Sequence, residues 1–150
     1  FPTRRSSDLL WKFSPEMNFA IGNFGFEAQY FYVGIKRDNA MPNYNAWGAY
    51  SNVRYLLNGQ GYTYTKADAG IATPDPGSLE LVAAYNYSTL TDKDANVFGG
   101  KGNDWALTFN YYLNKYMIWR VRGSITRATD NAAFNNNTFS ILETRLQIKF

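Results

Sequence analysis

The 150-residue chain has neither cysteine nor histidine, carries 15 Lys and Arg against 12 Asp and Glu, and draws 18% of its residues from Phe, Trp and Tyr. Without Cys there is no disulfide scaffold or thiolate site, and without His no Ser-His-Asp triad, so no catalytic, metal or cofactor site is expected. The net charge of +3 is too weak to drive nucleic-acid binding, and no run approaches the roughly 18 apolar residues of a membrane helix.

The opening string FPTRRSSDL, when back-translated, resembles read-through of a short-read sequencing adapter. Residues 1–9 are therefore expected to be an artefact, and residues 10–150 the C-terminal part of a single domain truncated just upstream of Leu10. Residues 16–21 form a short first strand, and Gly22-Asn23 joins it to residues 24–36 as a tight hairpin turn. In the second strand Phe24, Phe26, Ala28, Tyr30 and Tyr32 share one parity, opposite Glu27 and Gln29. Successive side chains on a strand point to opposite faces, so this run has one apolar and one polar face.

A polar loop at 38–45 leads to a strand over 47–57, where Trp47, Ala49, Val53, Tyr55 and Leu57 oppose Tyr50, Asn52 and Arg54. The longest connection, 58–76, is punctuated by Pro74 and Pro76 and reads as an excursion rather than an extra short strand near 62–65. In 78–90, Leu79, Leu81, Ala83, Tyr85 and Tyr87 oppose Glu80, Asn86 and Ser88. After a polar loop at 91–103 comes the strand 104–113, with Trp105, Leu107, Phe109, Tyr111 and Leu113 on one face. A short turn through Asn114 and Lys115 leads to 117–127, where Met117, Trp119, Val121 and Ile125 oppose Arg120, Arg122, Ser124 and Thr126. A loop at 128–137 precedes the last strand, 138–150, whose Leu142, Thr144, Leu146, Ile148 and Phe150 oppose Glu143, Arg145, Gln147 and Lys149.

With the 117–127 strand counted as far as Thr126, only Lys36 breaks the exclusion of charge from the apolar parity in these runs. A bilayer enforces such an exclusion, because a midplane Arg or Lys on the lipid face costs about 2–4 kcal/mol. Short turns on one side and longer loops on the other give the strands a direction, with the short turns periplasmic. Phe24, Tyr55, Tyr111, Trp119 and Phe150 then fall at the periplasmic interface, and Tyr30, Tyr32, Trp47, Tyr87 and Trp105 at the outer one, as two aromatic belts. The fold class expected is all-β: an antiparallel transmembrane β-barrel. About seven strands cannot close one, since closure takes at least eight, so the chain reads as an incomplete C-terminal portion.

The inward, polar face carries Arg54, Arg120, Arg122, Arg145 and Lys149 against Glu27, Glu80, Asp104 and Glu143. Rings of Arg or Lys in a pore attract anions, so these five residues are the candidate anion contacts. Salt bridges that stiffen the wall are the competing reading. That reading is favoured for Arg145 with Glu143, on one face of one strand, and both readings stay open for Arg120 and Arg122. The last strand, with its terminal Phe, resembles the closing strand of bacterial outer-membrane β-barrels, and the resemblance implies that Leu146, Ile148 and Phe150 are the candidate C-terminal assembly signal for the barrel-assembly machinery. An outer-membrane enzyme finds no His here as general base. A larger active transporter with a plug upstream remains the alternative to a passive porin.

The strings WGAYSNVRYLLNGQ, GSLELVAAYNYSTL, VFGGKGNDWALTFNYYLN and ETRLQIKF occur in this order and resemble the C-terminal part of the phosphate-selective porin O and P family, over roughly residues 16–150. The resemblance implies a 16-stranded homotrimeric porin in the outer membrane of a Gram-negative bacterium, in contact with lipid and passing small anions such as phosphate. Family members usually carry Arg where Ala84 stands and often Pro where Lys115 stands. Loss of an inward Arg at position 84 weakens the case for phosphate selectivity in particular.

Overall fold

The computed structural model describes residues 9–37, 41–66, 70–131 and 136–149, and among them every regular element is a strand. These are β1 (Leu9–Phe13), β2 (Glu16–Ile21), β3 (Phe24–Lys36), β4 (Tyr44–Leu56), β5 (Tyr64–Thr65), β6 (Gly70–Ile71), β7 (Leu79–Asp92), β8 (Val97–Asn114), β9 (Met117–Asn131) and β10 (Thr138–Ile148). The main sheet runs β1-β3-β4-β7-β8-β9-β10, with β2 also paired to β3, and every pairing is antiparallel. The sheet does not close on itself among the described residues, and its edges are β1 with β2 on one side and β10 on the other.

The two pieces at the first edge are one strand. Phe13 faces Tyr32 and Glu16 faces Gln29, so the register passes Ser14 and Pro15 without a slip. Pro15 has no N–H to give, but its carbonyl still accepts from the Tyr30 N–H at 3.0 Å. A proline is tolerated at such an edge, where a missing donor breaks no inner ladder. The expected first strand, 16–21, is therefore corrected to one that begins at Leu9. At its outer end the Trp11 ring lies over Gly34 and against Tyr32, with ring centroids 4.8 Å apart.

Gly22-Asn23 is the expected two-residue turn, with Gly22 at φ 56° and Ile21 facing Phe24. A first central residue with positive φ fits the type II′ geometry that matches the strand twist. The other short turn, Lys115-Tyr116, is closed by Asn114, whose Oδ1 accepts from the Tyr116 N–H at 2.8 Å. At the opposite end the strands outrun the sequence pattern. The expected loop at 91–103 is instead a continuation of the β7–β8 hairpin, with a bulge between Thr89 and Thr91 and a turn before Val97. β9 likewise continues to Asn131, into the expected loop at 128–137. Polar ladders extend freely where water replaces apolar surroundings, so alternation there carries no apolar signal. Lys101, in the longer β8, and Arg127, at the end of the expected 117–127 strand, join Lys36 on the apolar parity, so the exclusion of charge does not reach the strand ends.

Register carries the faces across the sheet. Phe24, Tyr55, Leu81, Phe109, Val121 and Thr144 are successive partners through six strands on the apolar side. Toward the long-loop end of the same side, rings touch from strand to strand. Tyr30–Trp47, Trp47–Tyr87 and Tyr85–Trp105 have centroids 6.0, 4.8 and 4.4 Å apart. At the short-turn end Phe24 faces Tyr55 and Tyr111 faces Trp119, whose indole N–H donates to the Thr144 hydroxyl at 2.9 Å. Both expected belts thus have their described members; Phe150 lies outside the described residues.

The 58–76 connection is an excursion that does contain a short hairpin, β5 with β6, separate from the main sheet. Asn58 closes its neck, taking the Leu79 N–H at 2.6 Å and donating to the Gly77 carbonyl at 3.1 Å. From there the segment turns back over the polar face. The Tyr62 N–H donates to the Gly22 carbonyl at 2.7 Å, and Tyr62 and Ile71 pack where a Cβ on Gly25 would project. Gly61, at φ 92°, sits so close to Gly22 that a Cβ would lie 2.8 Å from its carbonyl oxygen. Only glycine satisfies both conditions.

Candidate functional site: the polar face

Two adjacent rows of register partners build the polar face. One runs Leu56, Glu80, Asn110, Arg120, Arg145; the next runs Arg54, Val82, Thr108, Arg122, Glu143. Side chains from both rows, with Tyr112, line a trough of about 390 Å³ that brings Arg54, Arg120, Arg122 and Arg145 together. Lys149 is exposed beyond the end of β10 and stays outside it, its N–H donating to the Tyr116 carbonyl at 2.8 Å.

Glu80 is the most enclosed charged group of the face, at 1% exposure. It is stabilised by three donors: Tyr62 Oη at 2.6 Å, Asn110 Nδ2 at 2.6 Å and Tyr112 Oη at 2.8 Å. A buried carboxylate needs such partners, because leaving it bare costs more than any one hydrogen bond returns. Asn110 passes the arrangement on, since its Oδ1 accepts from Arg120 Nε at 2.7 Å. The Tyr62 phenol is held neutral well above its usual range, first by burial and then by the hydrogen bond and charge of Glu80. Sequence reasoning missed Tyr62, because nothing in the 58–76 string marks it as facing the wall.

The arginines divide into two kinds. Arg54 is paired with Glu27 at 3.0 Å, and the same carboxylate takes the Tyr50 hydroxyl at 2.9 Å. Its Nε is buried with no partner among the described residues. Arg122 lies 3.2 Å from Asp104 and 4.0 Å from Glu143, while Asp104 also accepts from Asn86 Nδ2 at 3.0 Å and Thr126 Oγ1 at 2.6 Å. Arg120 and Arg145, by contrast, face each other across β9 and β10, and neither forms an ion pair among the described residues.

Two expectations are corrected here. Arg145 does not pair with Glu143: alternate residues of one strand lie about 7 Å apart, and Glu143 stands directly opposite Arg122. Nor are Arg120 and Arg122 alike, because Asp104 and Glu143 reach Arg122 from the neighbouring strands. Ala84 lies on the polar parity between Asn52 and Ala106, so the face has no cation at that position. Leu146 and Ile148 are half exposed on the apolar face.

Among the described residues no cluster of acidic, His or Cys side chains could hold a metal ion. The polar face offers fixed positive charge and hydrogen-bonding groups along an open trough, which is the equipment of a pore wall. No curated protein matches the chain. Residues 8–150 match the family model described as phosphate-selective porin O and P, and the chain belongs to that family of outer-membrane porins.

Proposed function

We propose that the chain is part of the wall of a passive, water-filled, anion-preferring channel in the outer membrane of a Gram-negative bacterium. Small anions, phosphate among them, pass along the polar face, and the apolar face meets lipid. The observation that carries this reading is the Arg120–Arg145 pair: two arginines that are register partners on adjacent strands, neither of them in an ion pair among the described residues. Like charges directly opposite on adjacent strands are destabilising. A wall that keeps them has a use for uncompensated positive charge, and low-dielectric walls strengthen its field on a passing ion. Arg54 and Arg122 serve the wall itself through their ion pairs.

The same reading covers assembly. Leu146, Ile148 and Phe150 present the signal to the barrel-assembly machinery, and the finished barrel is a homotrimer. Planar-bilayer recording of the full-length protein tests the channel. Ohmic conductance with a reversal potential displaced toward that of the anion in a salt gradient is expected, and absence of conductance would refute the porin reading.

A further inference from the structure

We propose that the apolar face holds one acyl chain of a phosphate-bearing lipid in a groove that extends from β4 to β10, with Arg127 on the lipid phosphate. The inference rests on the porin reading only for which face meets the membrane.

The groove has a volume of about 690 Å³ and is lined mostly by apolar atoms. Its low points are small residues, Ala83 and Gly123, on either side of the half-exposed Leu107 in a row that ends on Leu142. A Cβ built on Gly123 meets nothing within 4 Å, so the space above that residue is open. The walls stand high: Trp105 is 63% and Leu142 81% exposed, and the Trp105 ring is braced against Tyr85 at 4.4 Å. Such relief on a lipid-facing sheet accepts a single hydrocarbon chain in close contact, rather than the averaged surface of many.

The rim supplies the headgroup contact. The groove's outermost row runs through Trp105 and Ile125, and the next same-face row pairs Asn103 with Arg127, about 7 Å farther along the strands. β9 runs from its short turn toward its long loop, so Arg127 stands at the outer-leaflet end. It is exposed, and its side chain has no hydrogen-bond or ion-pair partner among the described residues. Lys101, one row farther out, is already held by Asp130 at 2.7 Å, which leaves Arg127 as the available cation. A guanidinium presents two parallel donors that match two phosphate oxygens. A free cation at headgroup level, directly over an apolar groove, complements an anionic lipid and not a second apolar protein face.

Native mass spectrometry of the full-length protein in nonionic detergent micelles tests this. The probes are phosphatidylglycerol, phosphatidylcholine and diacylglycerol of the same chain composition. Phosphatidylglycerol is expected to be retained best, and excess inorganic phosphate should not displace it. Arg127→Gln should lower its retention about fivefold, the contribution of one cation at a charged membrane surface. Gly123→Leu, which fills the groove, should abolish retention of both phosphatidylglycerol and diacylglycerol. Unchanged phosphatidylglycerol retention in both variants would overturn the proposal. So would a Gly123→Leu variant that dissociates an oligomer while keeping its lipid, which would give the groove to a second copy of the chain. Neither substitution touches the polar face, so loss of conductance in the unsubstituted protein would strike the porin reading and leave the lipid measurement standing.

Discussion

Tyr62, from the long 58–76 connection, donates its hydroxyl to the enclosed carboxylate of Glu80 in β7 at 2.6 Å. That bond ties a segment outside the main sheet to the wall at the row that also holds Asn110, Arg120 and Arg145. Removing the hydroxyl with Tyr62→Phe leaves Glu80 with two donors and should cost about 1–3 kcal/mol of local docking. Hydrogen exchange at the Tyr62 amide, bonded to the Gly22 carbonyl, would rise accordingly while the β8–β9 ladder keeps its protection.

The same bond sets a pH dependence. Burial and Glu80 raise the Tyr62 phenol above the ordinary value of 10.0, so the docked segment binds the phenolic proton more tightly than the open one. The stabilisation is therefore fully present below pH 10.0 and is lost as pH rises through the folded value. Proteolytic nicking of 58–76 should be constant from neutral to mildly alkaline pH in the unsubstituted protein, and increase only in strong alkali.

Single-cysteine substitution checks the faces. Cysteines at Leu81, Phe109, Val121 and Leu146 should be shielded by lipid from a membrane-impermeant thiol reagent, and those at Asn86, Arg122 and Gln147 labelled through the pore. The register places the first three on one row of the apolar side. Equal labelling of both sets would contradict the assignment of the faces.

Much of this was legible in the sequence because membrane and water sort side chains at period two. The alternation of Trp105, Leu107, Phe109 and Tyr111 located β8 and its faces, and Gly22-Asn23 marked the turn between β2 and β3. Alternation lost its grip where both faces meet water, so the β7–β8 extension past Thr91 read as a loop. It also could not show which strands are neighbours in depth. Arg122 and Glu143 are 21 positions apart in sequence and stand opposite each other only through the β9–β10 register. The candidate arginines were therefore visible, but which of them are neutralised was not.

Asp104 gives that division a consequence. It accepts from Arg122 and Asn86 on one carboxylate oxygen and from Thr126 on the other, and Asp104→Asn would remove the charge and one of those two acceptors. Arg122 would keep only one charged partner, Glu143, at 4.0 Å. Anion preference should increase in this variant, most clearly at low salt, where screening is weakest. A reversal potential unchanged from the unsubstituted channel would show that Arg122 lies too far from the ion path to matter.

We propose that Arg120 and Arg145, which form no ion pair among the described residues, carry the channel's preference for anions. The decisive measurement is the reversal potential of the full-length protein in a low-salt gradient, compared between Arg120→Gln/Arg145→Gln and Arg122→Gln. The double substitution should move the reversal potential distinctly toward cations. Arg122→Gln, which removes one positive charge that is already paired with Asp104 and Glu143, should move it less than the double substitution does. A double variant with an unchanged reversal potential would contradict the account and return both arginines to the wall.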